Sequence, residues 1–346
     1  MAAICVYGAG AVGCYLGGRL LAAGVDVELI GRQRIQAQLR EHGLVLSDYR
    51  GRDARVPASR IAYAASDAAA AAAVAAASLV LVTVKSAATP AVADALARTA
   101  RPCTVVISFQ NGVRNADVLR AALPHATVLA AMVPFNVIAR GACAFHQGTS
   151  GELQVEAAPA LQRFAAAFER AGLPLVQRAD MRAVQWAKLL VNLNNAINAL
   201  ANRPLKDELA QRGYRRCLAL AQAEGLALLK RASIRPARIT PLPATWMPRL
   251  LSMPDALFTR LAGAMLAIDP LARSSMSDDL DAGRPTEVDW INGEIVQLAA
   301  GLGRRAPVNA RLCALVHDAQ RAAARPAWSG EALLAELRAA AARRVV

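Results

Sequence analysis

The segment AICVYGAGAVGCYLGGRLLAAG, at the start of the chain, constrains the fold more than any other stretch. A short β-branched run leads into glycines at 8, 10 and 13, and a helical pattern follows that closes at Gly24. In a G-x-G-x-x-G turn between strand and helix, Gly8 permits the tight turn. Gly10 lets the backbone approach a pyrophosphate, and Gly13 lets helix and strand pack closely. The helix then opens through Ala11 and Val12, with its N-terminus facing the phosphates. A second strand, DVELIGR, follows at the right distance. This context predicts dinucleotide binding.

The first half continues the rhythm. LVLVTVK and TVVISFQNG read as further strands with helical segments between them. TVLAAMVPFNVIA and GELQVEA extend the set. Alternating strands and helices predict a parallel, doubly wound α/β sheet. The nearly all-apolar stretch Ala68 to Val84 has the length of a membrane span, but it reads as an alanine-rich helix running into a buried strand. From about Asp180 onward, helical periodicity takes over, interrupted by the proline-rich IRPARITPLPATWMP. The expected division is an α/β domain over 1–180 and an all-α domain over 181–346, with a frayed helix at the Ala- and Arg-rich C-terminus.

The formal charge of +14 raises nucleic acid as a partner, but the arginines are dispersed and aromatics are only 4% of the chain. No nucleic-acid partner is expected. The six cysteines form no C-x-x-C pair and do not cluster with the four histidines, so no metal site is expected. That usage, and a start without a basic n-region, predict a reduced, cytoplasmic protein without membrane association. A homodimer is compatible with all of this.

The second strand ends LIGRQR. Where an NAD binder places an acid for the ribose 2′-hydroxyl, this chain has Gly31 and Arg32, with Arg34 nearby. A guanidinium can hold a 2′-phosphate bidentately, which points to NADPH. Glu28, earlier in the strand, points weakly the other way.

Four sites carry candidate chemistry. Lys85 and Asn111 follow strands at their carboxyl ends, where open α/β sheets bind ligands. Each also has an ordinary reading, as a solvated lysine and as the Asn of an Asn-Gly turn. The third is WAKLLVNLNNAIN, read as one helix, in which Lys188, Asn192 and Asn195 share an arc while Asn194 and Asn198 point away. Only four of the chain's 40 basic residues are lysines, which makes Lys188 a marked choice. The fourth is RSSMSDDLDAGRPTEVDWINGEI, with Ser274, Ser275, Asp279 and Glu287. There Thr286 is the expected N-cap, and a first-turn capping role is the plain reading of Glu287.

In this spacing and order, GAGAVG, Lys85, QNGV, WAKLLVN and SSM…D…GRPTEVDWINGEI resemble the ketopantoate reductase (2-dehydropantoate 2-reductase) family, from residue 4 to about 317. The resemblance implies a Rossmann-type domain joined to an all-helical one, with the site in the cleft. It implies NADPH-dependent reduction of a 2-keto acid, ketopantoate or a close analogue, and hence pantothenate biosynthesis. Lys188 is then the catalytic acid, and Asn111, Asn192 and Ser275 contact substrate. Lys85 assists near substrate or nicotinamide, and Glu287 holds substrate or ribose. Two features depart from the family pattern. Ala196 stands where the family places an asparagine eight residues after the lysine, with Asn195 and Asn198 on either side, and AAMVPFNV replaces a small-residue segment. The alternatives are a related 2-hydroxyacid dehydrogenase with another substrate and a non-catalytic NADP-binding redox sensor. The presence of Lys188, Asn192 and Glu287 together speaks against the sensor.

Overall fold

A computed structural model describes residues 4–261 and 271–342. The chain separates into two compact units, Met1–Arg182 and Ala183–Val346.

The first unit is built on an eight-stranded sheet. Along the chain its strands are β1 (Ile4–Tyr7), β2 (Val27–Ile30), β5 (Ala62–Ala64), β6 (Leu79–Val82), β7 (Val105–Ser108), β8 (Thr127–Met132), β11 (Leu153–Glu156) and β12 (Leu175–Arg178). Their spatial order is β12-β11-β8-β7-β6-β1-β2-β5. β1 lies between β2 and β6 and pairs parallel with both, Ile4 opposite Val27 on one side and Leu79 on the other. Every pairing is parallel except β11 on β8. Both faces are covered, so the central strands are apolar throughout and their residues alternate between two cores. Ile4, Val6, Leu79 and Leu81 join helix α1 (Ala11–Ala22) and α6 (Gln162–Arg170) in one core. Cys5, Val80 and Val82 join α3 (Asp67–Ala76), α4 (Thr89–Thr99) and α5 (Asn115–Ala122) in the other. This is the pattern of a parallel sheet buried on both sides.

A second, four-stranded sheet was not expected. It runs β4 (Ala54–Val56), β3 (Leu44–Asp48), β10 (Ala144–Gln147), β9 (Val137–Ala139). VIA, read above as a continuation of the main sheet, belongs here. This sheet packs against α1. A Cβ on Gly18 would lie 2.9 Å from Leu46 Cδ1. Tyr15 donates to Gln147 Oε1 at 2.9 Å and meets Phe135 edge-on.

Among the described residues the second unit is all helical. It holds α7 (Met181–Asn192, whose first two residues precede the boundary), α8 (Asn194–Ala201), α9 (Leu205–Ala210), α10 (Arg212–Arg231), α11 (Met247–Leu251) and α12 (Asp255–Leu261). Helices over Ser275–Asp281, Val288–Gly301, Pro307–Arg321 and Gly330–Ala342 follow. The last of these covers the alanine-rich part of the C-terminus expected to fray, whose arginine-rich end, 343–346, lies outside the described residues. It docks on α10 through Gly213 and Gly330, where a Cβ on Gly213 would lie 2.8 Å from the Gly330 carbonyl carbon. Leu333 and Leu337 are fully buried there. Each such leucine stabilises the docking by about 1.5–3 kcal/mol. Among the described residues no helix is long and apolar enough to cross a membrane.

Candidate active site

The glycine turn follows β1. Gly8 has φ +122, and a Cβ there would lie 2.6 Å from the Val84 amide nitrogen. A Cβ on Gly13 would sit 2.0 Å from the Gly8 carbonyl oxygen and 2.6 Å from Thr83 Oγ1. Thr83 Oγ1 donates to that same carbonyl at 2.8 Å, so β6 buttresses the turn. Gly10 differs: a Cβ there would meet nothing within 4 Å. Gly10 is the N-cap of α1, no side chain caps the helix, and its first turn holds no acid. The amides of Ala11, Val12 and Gly13 therefore open a helix N-terminus that carries no competing carboxylate. An open cradle with a positive helix end fits a pyrophosphate.

At the end of β2, Gly31 is enforced by packing. A Cβ would lie 2.4 Å from Tyr63 Oη and 2.7 Å from Ala9 Cβ. Tyr63 Oη also donates to the Arg32 carbonyl at 3.0 Å. Arg32 is the N-cap of α2 (Gln33–His42) and is exposed, as is Arg34, and the first turn of α2 holds no acid. Glu28 lies within β2, half-buried, and burial raises its pKa.

Lys85 and Asn111 stand on neighbouring loops after β6 and β7. Beneath them is a buried polar network that the motifs did not reveal. Asn115 Nδ2 donates to the Asn111 carbonyl at 2.5 Å and to Ser86 Oγ at 3.0 Å. Thr89 Oγ1 donates to Asn115 Oδ1 at 2.8 Å, and Gln110 Nε2 donates to Thr89 Oγ1 at 2.7 Å and to the Val84 carbonyl at 3.1 Å. Ser108 Oγ donates to Gln110 Oε1 at 2.9 Å. Ser86, Thr89, Ser108, Gln110 and Asn115 are all buried. They join the two loops, leaving Lys85 exposed and Asn111 half-buried, with Gly112 at φ +84 completing the turn. The signal available in the sequence was the polar cluster SFQNGVRN at a strand end.

In the second unit, Lys188 and Asn192 lie on α7, both half-buried, with Ala187 and Leu189 buried beside the lysine. Burial disfavours the ammonium and lowers the Lys188 pKa from its ordinary 10.5. The expected single helix is interrupted: α7 ends at Asn192, Leu193 is a turn residue, and α8 starts at Asn194. The common arc therefore holds for Lys188 and Asn192 within α7, and Asn195 belongs to the next helix, half-buried. Asn194 and Asn198 do point away, into the core, where both donate to Glu208 Oε2 at 3.3 and 2.8 Å. Ala196 is fully buried.

Ser274 caps the Ser275–Asp281 helix by accepting from the Ser277 amide at 3.1 Å, which leaves Ser275 exposed at the first helical position. Asp279 is buried and accepts from Arg284 Nε at 3.1 Å. The expected cap at Thr286 is corrected by the structure. Thr286 Oγ1 donates to Gln320 Oε1 at 3.0 Å, and Glu287 itself is the N-cap of the Val288–Gly301 helix. The Glu287 side chain makes no capping hydrogen bond and is half-buried. Among the described residues no group of His, Cys, Asp and Glu could hold a metal ion.

Known proteins resemble this chain along both of its units. Residues 4–160 match the family model for ketopantoate reductase PanE/ApbA, and residues 180–320 match that for its C-terminal part. A 2-dehydropantoate 2-reductase of Halobacterium salinarum is 28% identical over 333 residues, covering 92% of this chain and 99% of its own. One from Caulobacter vibrioides is 28% identical over 240 residues, covering 69% and 77%. Among solved structures, D-mandelate dehydrogenase with NADH and anilino(oxo)acetate shares the fold, with a TM-score of 0.74 at 18% identity over 92% and 98% of the two chains. The PanE/ApbA family ketopantoate reductase from Ralstonia eutropha JMP134 superposes with a TM-score of 0.77 at 31% identity, over 92% of this chain and 100% of that one. With both halves matched in order and a relative of that identity aligned along its whole length, the chain belongs to the ketopantoate reductase family of oxidoreductases.

Proposed function

We propose that this protein reduces a 2-keto acid, ketopantoate or a close analogue, to the 2-hydroxy acid with NADPH. The observation that carries the reading is Lys188. It is one of four lysines in an arginine-rich chain, half-buried on α7, with a pKa lowered by burial. When bound, the nicotinamide supplies a hydride to the keto carbon. Negative charge then grows on the carbonyl oxygen, and the Lys188 ammonium stabilises it and donates the proton that completes the hydroxyl. A general acid works best with a pKa near the operating pH, and help of this kind contributes about 10²–10⁴-fold. Arginine could not take the role, because it holds its proton at any ordinary pH.

The first unit is the NADP-binding domain in this reading and the second carries substrate and catalysis. Gly8, Gly10, Ala11, Val12 and Gly13 receive the pyrophosphate, and Arg32 grips the 2′-phosphate. Lys85 and Asn111 act near the nicotinamide and substrate. Asn192, Asn195 and Ser275 hold the substrate by hydrogen bonds, and Glu287 holds substrate or ribose. Six free thiols suit a reducing, cytoplasmic setting, and assembly as a homodimer accompanies the reading. The deciding experiment is NADPH oxidation across a panel of branched and aryl 2-keto acids that includes ketopantoate. Turnover of an aryl acid in preference to branched ones would favour the 2-hydroxyacid dehydrogenase alternative. No oxidation with any member would remove the reductase reading and favour the redox sensor.

A further inference from the structure

Glu208 stands outside the chemistry described so far. It lies on α9 and is fully buried. Its Oε2 accepts from Asn198 Nδ2 at 2.8 Å and Asn194 Nδ2 at 3.3 Å. Among the described residues its Oε1 has no partner, and neither does Asn194 Oδ1 in the same buried cluster. Two acceptors without a donor are costly there, and a naked carboxylate oxygen is the costlier of the two.

One proton resolves both. A carboxylic acid and a primary amide pair through two hydrogen bonds: the amide N–H to the acid carbonyl, and the acid O–H to the amide oxygen. Asn194 Nδ2 already supplies the first, and Asn194 Oδ1 is the acceptor left over for the second. Asn198, one turn later on the same face of α8, already has a partner on each of its polar atoms. It donates also to the Arg203 carbonyl at 3.0 Å and accepts from the Ser274 amide at 2.9 Å. Ser274 in turn donates to the Asn195 carbonyl at 3.2 Å and caps the helix that begins at Ser275. A single side chain thus touches the asparagine row on α8 and, through Asn198, the cap beside Ser275.

We propose that Glu208 works as a neutral carboxylic acid, closing an acid–amide pair with Asn194 and thereby positioning α8 and the Ser274 cap. It is a positioning residue for Asn195 and Ser275, and that functional half rests on the reading given under Proposed function. The physical direction agrees, since burial raises the Glu208 pKa to about 8 against the two amide hydrogen bonds that lower it. The ionisable groups facing it are Tyr214 and Cys217 on α10, with Arg203, Arg215 and Glu331 beyond. The Tyr214 pKa is raised and the Cys217 pKa is pushed up to about 12, so neither titrates between pH 6 and 9. The linkage follows. Below pH 4.5 the acid is neutral folded or unfolded. Between 4.5 and about 8 the folded chain binds the extra proton, so stability falls as pH rises through that window.

The test compares wild type with Glu208→Gln, which keeps the amide-like geometry without the titration, and with Glu208→Ala. We expect the wild-type Tm to drop by roughly 5 °C or more from pH 6 to 9, and the Glu208→Gln Tm to change by less than half as much. At pH 6, Glu208→Gln should keep wild-type hydrogen-exchange protection over residues 274–281 and stay within about threefold of wild-type kcat/KM on the best 2-keto acid found. Glu208→Ala should lose that protection and about tenfold in kcat/KM. A Glu208→Gln variant with the wild-type Tm–pH slope, or one that loses protection as fully as the alanine variant, overturns the proposal. If no 2-keto acid is turned over, the reductase reading fails, while the Tm and exchange measurements still decide this one.

Discussion

A lysine ammonium half-buried on α7 is costly to keep charged, and the chain keeps a lysine there although arginine is its habitual cation. The cost is legible as linkage. The folded pKa of Lys188 lies below 10.5, so the unfolded chain binds more protons between those two values, and stability rises with pH across that window. The fold therefore disfavours the charged form, which is intelligible if its proton is used. Lys188→Ala should fold and bind NADPH almost normally. Its kcat should fall by about 10²-fold or more, the scale of a lost general acid. Lys188→Arg should fail nearly as badly, because it keeps the charge but not the transferable proton. Recovery of most activity with arginine would make Lys188 a fixed positive charge and move the acid elsewhere. Wild-type turnover in the alanine variant would make it a bystander. In the wild type, the basic limb of kcat/KM should lie below the pH of an ordinary lysine and should vanish in both variants.

At the scale of elements, helix ends carry the positioning. The Glu287 carboxylate sits at the start of the Val288–Gly301 helix without capping it. Removing it should cost the helix little, so Glu287→Ala should keep its Tm within a degree or two of wild type while losing kcat or raising KM. A Tm loss in proportion to the activity loss would restore a purely structural role. Arg215 is the opposite case. It is fully buried on α10 and uses all five of its donors. They go to the carbonyls of Leu209 and Ala210 at the end of α9, to those of Leu251 and Met253 around the end of α11, and to Asp255 Oδ1 at the start of α12. Its guanidinium also lies 4.1 Å over the Phe258 ring. One cation thus satisfies two helix C-termini, where the backbone dipole is negative. Arg215→Met fills similar volume but strands those acceptors, and should lower unfolding stability by about 3–5 kcal/mol in a urea titration. A loss under about 1 kcal/mol would mean that the carbonyls find other donors.

Across the whole molecule, what could be read in advance was what is local and periodic. The glycine turn, the Ala68–Val84 helix-to-strand run and the main strands each announce themselves within a dozen residues. The second sheet did not, because its strands are three to five residues long and their burial comes from α1, far away in the chain. The break at Leu193 has no proline or glycine to mark it. The roles of Asn194 and Asn198 depend on Glu208 and Ser274, and Arg215 looks like any other arginine until its carbonyls are assembled around it. The cofactor end of the site was more legible, and it supports a prediction for the intact protein. A ligand that binds only the folded chain at 100 times its Kd adds about 2.7 kcal/mol of stability. With two compact units the unfolding need not be one transition, so the shift belongs to whichever transition reports the first unit. NADPH should raise that midpoint by several degrees, and NADH at the same concentration by much less. The reason is local: Tyr63 and Ala9 crowd Gly31, leaving no room for an acid at that position, while exposed Arg32 is held by its carbonyl to Tyr63 Oη. Arg32→Ala should bring the NADPH shift down toward the NADH value and leave the NADH shift nearly intact. Equal losses for both cofactors would show that Arg32 does not read the 2′-phosphate, and the preference for NADPH would have to be sought in Arg34 or given up.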